Sequence, residues 1–298
     1  MEEKILDLII PGPASKSLGE KIAENLGLPK VNVETKNFPD GESYVRLEEN
    51  VEGKRVVIVQ STYPPQNTHL IQLFLMVDAA KNFGAKEIVV VTPYLAYARQ
   101  DKVFRLYEPI SIETILKILE KLGVDKLITI NLHEPNVLQK FRFKSVNLSA
   151  INLLAKYFLK IGLKDAVAFA PDAKAVKLVE EASKILGGGL GWFKKERNRV
   201  TGEISMSCEG EFKVEGKNVI LFDDMISTGG TTATAVKMLK QMGVKKVFSA
   251  CVHPLLVGDA LQKILRNGAE KIVATDTIPS KVSIVSVAPL ITETLKKI

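Results

Sequence analysis

The chain contains only two cysteines, Cys208 and Cys251, with no Cys-x-x-Cys pair and no Cys/His cluster. Neither a disulfide framework nor a structural zinc site is supported, and both cysteines read as ordinary small residues. No apolar run approaches the ~20 residues that span a bilayer, and the first residues, with Glu2, Glu3 and Asp7, lack the basic start of a signal peptide. The expected setting is cytoplasmic, without membrane contact. A net charge of +7 would suit nucleic acid, but the Lys and Arg residues are dispersed and no aromatic-basic ribbon interleaves them. Nucleic acid is therefore not an expected partner, and polyanionic small substrates are. The one dense basic cluster is Lys194, Lys195, Arg197 and Arg199; on its own it reads as a solvated loop.

What is present is a regular alternation. With 298 residues and 46% hydrophobic content, the chain exceeds a typical single domain and can fill two cores. Apolar strands at 5–10, 56–59, 88–91 and 127–130 alternate with helical stretches at 16–26, 70–83 and 110–122. A second series runs through a strand at 166–169, a helix at 175–186, and strands at 219–222 and 247–252. This pattern predicts α/β structure, with mostly parallel sheets covered by helices on both faces. An internal repeat supports two related halves. Val51-Glu52-Gly53-Lys54, a strand, a helix and Gly84-Ala85-Lys86 are echoed by Val214-Glu215-Gly216-Lys217, a strand, a helix and Gly243-Val244-Lys245. The spacing differs by four residues, which the sequence assigns to the connection between strand and helix.

That connection is where the halves diverge. The second copy reads Val219-Ile220-Leu221-Phe222-Asp223-Asp224-Met225-Ile226-Ser227-Thr228-Gly229-Gly230-Thr231-Thr232: an apolar strand expected to end at the two acids, a hydroxyl and glycine turn, then a helix over 231–242. Glycines admit close backbone approach, and free amides at a helix N-terminus favour an anion. Ser227, Thr228, Gly229, Gly230 and Thr231 are thus a candidate phosphate cradle. Asp223 and Asp224 suit vicinal sugar hydroxyls or a divalent cation. The same residue types also make turns and caps that bind nothing. The Gly-x-x-x-x-Gly-Lys spacing of a P-loop is missing, so Walker-type ATP binding is not indicated.

The loop resembles the phosphoribosyl-diphosphate-binding loop of type I phosphoribosyltransferases. Five further segments accompany it: Asn37-Phe38-Pro39-Asp40-Gly41-Glu42, Ala98-Arg99-Gln100-Asp101-Lys102, Asn131-Leu132-His133, Ala170-Pro171-Asp172-Ala173 and Lys194-Lys195-Glu196-Arg197. Together, over nearly the whole chain, they resemble the ribose-phosphate diphosphokinase family. The resemblance implies two phosphoribosyltransferase-like domains, 1–147 and 148–298, with the last helix a candidate to pack back on the first.

It also implies roles. Phe38, Asp40, Glu42, Arg99, Gln100 and Asp101 would bind ATP, the first three across a subunit interface of a homo-oligomer that is at least a dimer. Taken alone, Arg99 and Gln100 could equally pair with Asp101. Asp223, Asp224, residues 227–231 and Arg197 would bind ribose 5-phosphate. Lys195 and Arg197 match an essential Lys-x-Arg pair on a flexible loop, and the glycines at 187–191 and Gly202 read as flanks of a mobile flap. His133 and Asp172 match Mg2+ positions; alone, His133 reads as a core or capping histidine. Two departures stand out: Asn131 replaces an Asp frequent in relatives, and Lys174-Ala175 follow where Gly-Gly is frequent. A phosphoribosyltransferase explains 223–232 equally well but leaves the segments at 37–42 and 98–102 unexplained. A non-catalytic regulatory subunit should have lost the Lys-x-Arg pair or gained insertions.

Overall fold

The computed structural model describes residues 6–197, 204–211 and 213–298, and for 195–197, 204–206 and 211 it describes the backbone alone. The chain divides into two compact units, Met1–Leu148 with Ser286–Ile298, and Ser149–Val285.

The first unit carries β1 (Leu8–Pro11), α1 (Lys16–Leu26), β2 (Val33–Asn37), β3 (Ser43–Leu47), β4 (Arg55–Val59), α2 (Gln66–Asn82), β5 (Glu87–Thr92), α3 (Ser111–Lys121), β6 (Lys126–Ile130) and β7 (Lys144–Leu148). Five strands form a parallel sheet in the order β1-β4-β5-β6-β7, while β2 and β3 pair as a separate antiparallel hairpin. The central strands are continuous Val/Ile runs because both sheet faces are covered: Val56, Val57, Ile58, Val59 and Ile88, Val89, Val90, Val91 are all fully buried. Val56, Ile58, Ile88 and Val90 share a core with Leu73, Met76 and Val77 of α2 and Leu116 and Leu119 of α3. Each such side chain contributes roughly 1.5–3 kcal/mol on burial.

The second unit carries α4 (Ile151–Lys160), β8 (Val167–Ala170), α5 (Val176–Leu186), β9 (Leu190–Arg197), β10 (Ile204–Glu211), β11 (Asn218–Ile226), α6 (Gly230–Gln241), β12 (Lys246–Pro254), α7 (Ala260–Arg266), β13 (Ala269–Thr275) and β14 (Ser283–Val285). Its sheet has the order β10-β9-β8-β11-β12-β13-β14 and is parallel throughout except for the β9–β10 pair. The last helix, α8 (Ala288–Leu295), belongs to the first unit and packs on α1, with Asn25 Nδ2 donating to Thr292 Oγ1 at 3.5 Å.

The repeat is structural. Gly53 N donates to Gly84 O at 2.8 Å and Gly216 N to Gly243 O at 2.9 Å; Lys54 N donates to Val51 O at 3.1 Å and Lys217 N to Val214 O at 3.0 Å; Lys86 N donates to Lys54 O at 2.8 Å and Lys245 N to Lys217 O at 2.9 Å. Each copy thus shapes the turn before its strand with one bond and closes it onto the turn after its helix with the same two bonds. The extra residues of the first copy do not lie in the connection, as the sequence suggested. They lengthen the helix: α2 has 17 residues from Gln66, α6 has 12 from Gly230.

Two other expectations are corrected. β11 does not stop at Phe222; it runs through both acids to Ile226, because β12 is long enough to pair with it at Asp223↔Cys251, Met225↔His253 and Ile226↔Pro254. The glycines at 187–191 are not a free hinge. Gly187 caps α5, and a Cβ on Gly188 would run into the backbone carbonyls of Asp165 and Ala166, so close packing requires glycine there. The described part of the expected flap is the antiparallel pair β9 and β10; residues 198–203, with Arg199 and Gly202, lie outside the described residues.

Candidate active site

Parallel strands place their C-terminal ends on one edge of a sheet, and open α/β sheets bind ligands there. In the second unit Asp172 follows β8, and the turn of Ser227, Thr228 and Gly229 follows the adjacent β11 and leads into α6. Gly229 is the N-cap of α6, in the left-handed region at φ 71° and with no side-chain cap. The first-turn amides of α6 are thus left without a capping side chain at the positive end of its dipole. Thr228, Gly230 and Thr231 are exposed, and no atom lies within 4 Å of where a Gly230 Cβ would stand.

Just before this turn the acids accumulate. Asp224 N donates to Asp223 Oδ1 at 2.9 Å. Burial, and then the charges of Asp224 and Asp172, push the Asp223 carboxyl well above its ordinary range. Burial and the charge of Asp223 likewise raise the Cys251 thiol, its neighbour across the strand pair. Three carboxylates that repel one another at a sheet edge are poised to accept hydroxyl protons or to face a cation. Asp172 Oδ1 also accepts Lys174 N at 2.9 Å, so Lys174 serves this turn through its backbone whatever its side chain. Among the described residues no group of three or more His, Cys, Asp or Glu is arranged to hold a metal. A cation at this edge would take most of its ligands from water and phosphate oxygens.

β9 pairs with β8 as far as Trp192↔Ala170 and then continues to Arg197 paired with β10 alone. The backbone of Lys195 and Arg197 therefore overhangs the edge that carries Asp172, on a two-stranded ribbon; their side chains lie outside the described residues. Lower on the ribbon, Lys194 pairs with Glu209 at 3.1 Å.

The equivalent turn of the first unit, after β4, cannot offer its amides. Ser61 N donates to Ser15 Oγ at 2.8 Å and Thr62 N to Tyr94 O at 2.8 Å. Gln60, fully buried, fills the space with its own side chain, accepting from Ala14 N at 3.0 Å and donating to His69 O at 3.2 Å. Protein groups occupy the donors that a phosphate would use.

Elsewhere on the first unit, Arg99, Gln100 and Asp101 follow β5, and His133 follows the adjacent β6. Gln100 Nε2 donates to Glu108 Oε2 at 3.2 Å, and the same oxygen accepts Phe104 N and Arg105 N at 3.1 and 3.0 Å. Glu108 thereby folds this loop, a role that no motif in the sequence signals. The turn before His133 is tied to β7: Asn131 N donates to Leu148 O at 2.8 Å and Leu132 N to Asn147 Oδ1 at 2.9 Å. Asn131 has φ 41°, a conformation that Asn tolerates better than most residues. Phe38, Asp40 and Glu42 sit at the tip of the β2–β3 hairpin, closed by Phe38 N donating to Glu42 O at 2.8 Å and Glu42 N to Asp40 Oδ1 at 3.1 Å. The Phe38 ring is 43% exposed, edge-on to Tyr44 at 6.2 Å, with Lys36 Nζ 5.5 Å above it.

Residues 8–123 match the N-terminal domain of ribose phosphate pyrophosphokinase, and residues 144–289 match the phosphoribosyl transferase domain. The ribose-phosphate pyrophosphokinase of Methanothermobacter thermautotrophicus is 40% identical over 289 residues, covering 97% of this chain and all of the relative. That of Methanosarcina acetivorans is 40% identical over 97% of this chain and 99% of its own. The chain belongs to the ribose-phosphate pyrophosphokinase family. The crystal structure of phosphoribosylpyrophosphate synthetase from Mycobacterium smegmatis superposes with a TM-score of 0.87 at 32% identity, covering 98% of both chains. The two mostly parallel α/β units are therefore the architecture of this family of transferases, enzymes of nucleotide biosynthesis that make phosphoribosyl diphosphate from ribose 5-phosphate. The two family matches enclose Arg99 and the phosphate turn respectively, and His133 falls between them. No helix among the described residues is long and apolar enough to cross a membrane.

Proposed function

We propose that this chain transfers the β,γ-diphosphoryl group of ATP to the anomeric hydroxyl of ribose 5-phosphate, in a Mg2+-dependent reaction that gives 5-phosphoribosyl 1-diphosphate and AMP in the cytoplasm. The observation that carries the reading is the uncapped, glycine-lined N-terminus of α6 directly after Asp223 and Asp224. Residues 227–231 bind the 5-phosphate, and Asp223 and Asp224 accept from the ribose hydroxyls. Arg99, Gln100 and Asp101 place ATP, together with Phe38, Asp40 and Glu42 of a neighbouring subunit in a dimer or larger oligomer.

The crowding of Asp172, Asp223 and Asp224, which raises the Asp223 carboxyl, fits a site that receives a cation. His133 and Asp172 are the residues that would hold Mg2+, which when bound neutralises charge on the β- and γ-phosphates. The rest falls to side chains that position and neutralise, as phosphoryl transfer requires. The C1 hydroxyl oxygen attacks the β-phosphorus, the bond from that phosphorus to the α,β-bridging oxygen breaks, and AMP leaves with the bridging oxygen. The hydroxyl proton passes to solvent. Lys195 and Arg197 neutralise charge that develops on the moving diphosphate, so they stabilise the transition state more than the bound substrates. No covalent phosphoenzyme is formed.

Incubation of the pure protein with ATP, Mg2+ and ribose 5-phosphate tests this. AMP should form only when all three are present. A phosphoribosyltransferase that attaches a base would form none, and neither would a non-catalytic subunit.

A further inference from the structure

The carbonyls of three consecutive residues in the phosphate turn are all tied to the segment that follows β12. Ile226 O accepts from Leu256 N at 2.9 Å, Ser227 O from Val257 N at 3.0 Å, and Thr228 O from Lys263 Nζ at 3.2 Å. The peptide bonds here are trans, so each carbonyl and the N–H of the next residue point in opposite directions. Pinning these carbonyls turns the amides of Ser227, Thr228 and Gly229 away from the 256–263 segment. Two pins are main-chain donors. The third is a side chain.

The segment is built to hold this arrangement. Leu256 has φ 45°, a left-handed backbone that a branched residue rarely adopts, and its side chain packs on the core of the second unit. Lys263 lies one turn beyond Asp259 and pairs with it at 3.2 Å, which aims the ammonium at Thr228 O. The Lys263 and Asp259 side chains are 38% and 65% exposed, and exposed pairs of this kind add little to global stability. The consequence of the pair lies in the turn it orients.

We propose that Lys263, aimed by Asp259, is a positioning residue of the phosphate turn: it fixes the Thr228–Gly229 peptide so that the Gly229 amide faces the 5-phosphate. The inference rests on the assignment of ribose 5-phosphate to residues 227–231.

The test compares the unmodified full chain with Lys263→Met and Lys263→Arg. Calorimetry gives the affinities for ribose 5-phosphate and, separately, for ATP; amide hydrogen exchange gives the protection that ribose 5-phosphate confers on 227–231. Loss of one charge-assisted hydrogen bond should weaken ribose 5-phosphate binding by about 5- to 10-fold in Lys263→Met. ATP affinity and Tm should hardly move, the protection of 227–231 should fall, and Lys263→Arg should recover most of the loss. Unchanged affinity and protection in Lys263→Met would overturn the inference. So would a lower Tm with faster exchange across the whole second unit, which would make Lys263 a general brace. An unmodified protein that binds no ribose 5-phosphate overturns the ligand assignment itself, and the inference with it.

Discussion

Gly229 lies against Ala260: a Cβ on Gly229 would stand 3.1 Å from the Ala260 carbonyl oxygen and 3.2 Å from its Cα and Cβ, while φ of Gly229 is 71°. Both the close approach and the left-handed backbone favour glycine. Gly229→Ala should force the turn open, since the left-handed backbone alone costs an L-residue roughly 1–2 kcal/mol. We expect KM for ribose 5-phosphate to rise at least ~10-fold, with KM for ATP nearly unchanged. Steady-state kinetics with each substrate varied in turn checks this.

Asp223 lowers stability at neutral pH, at the position proposed to bind ribose hydroxyls. Its carboxyl is held above the usual range by burial and by the charges of Asp224 and Asp172, so the folded ligand-free protein binds a proton there to higher pH than the unfolded chain does. Stability from this group is therefore fully present below the ordinary Asp pKa and is lost as pH rises through the raised one. Asp223→Asn should flatten that loss, giving a protein more stable than the unmodified chain at neutral pH but poorer in ribose 5-phosphate use, with ATP use less affected. Denaturation midpoints across pH and the two KM values decide it. Equal loss for both substrates would point to general damage.

Gln60 ties the turn after β4 to Ala14 and to α2 of the first copy. Gln60→Ala removes the acceptor of Ala14 N and leaves a buried donor unpaired, which typically costs about 1–3 kcal/mol. A lower midpoint in denaturant, with the slope unchanged, is expected.

The proposal of a shared nucleotide site can be tested by mixing inactive chains. Lys195→Ala should cut turnover at least ~100-fold while ATP still binds, because its charge acts mainly on the moving diphosphate. A chain with both Asp40→Ala and Glu42→Ala should fail at ATP placement. If the hairpin serves a neighbouring subunit, mixed oligomers regain part of the activity. Demonstrated subunit exchange without recovery would assign the hairpin to its own chain.

Much of the fold was legible because buried parallel strands are written as Val/Ile runs: 56–59 and 88–91 each fall inside the strand observed, and helix 16–26 coincides with α1. Strands without such runs were not legible. β2 and β3, with Val33-Glu34-Thr35-Lys36-Asn37 opposite Ser43-Tyr44-Val45-Arg46-Leu47, mix polar and apolar residues on a half-buried hairpin. The end of β11 was misplaced because its extension through Asp223 and Asp224 depends on the length of β12, which the local sequence does not carry. Within the site, the order of the motifs was legible, since glycines, hydroxyls and acids at a strand-to-helix turn carry their own chemistry. Glu108 and Lys263 were not: Glu108 folds its own loop through bonds that no motif marks, and Lys263 reaches a carbonyl that only the fold brings near it.

The most direct test of the account is phosphorus NMR of the products formed from ATP, Mg2+ and ribose 5-phosphate. The account predicts AMP together with a sugar that keeps its 5-phosphate and carries a coupled diphosphate on C1, in equal amounts. ADP together with a sugar bearing a single new phosphate would contradict it, because only the γ-phosphoryl group would then have moved.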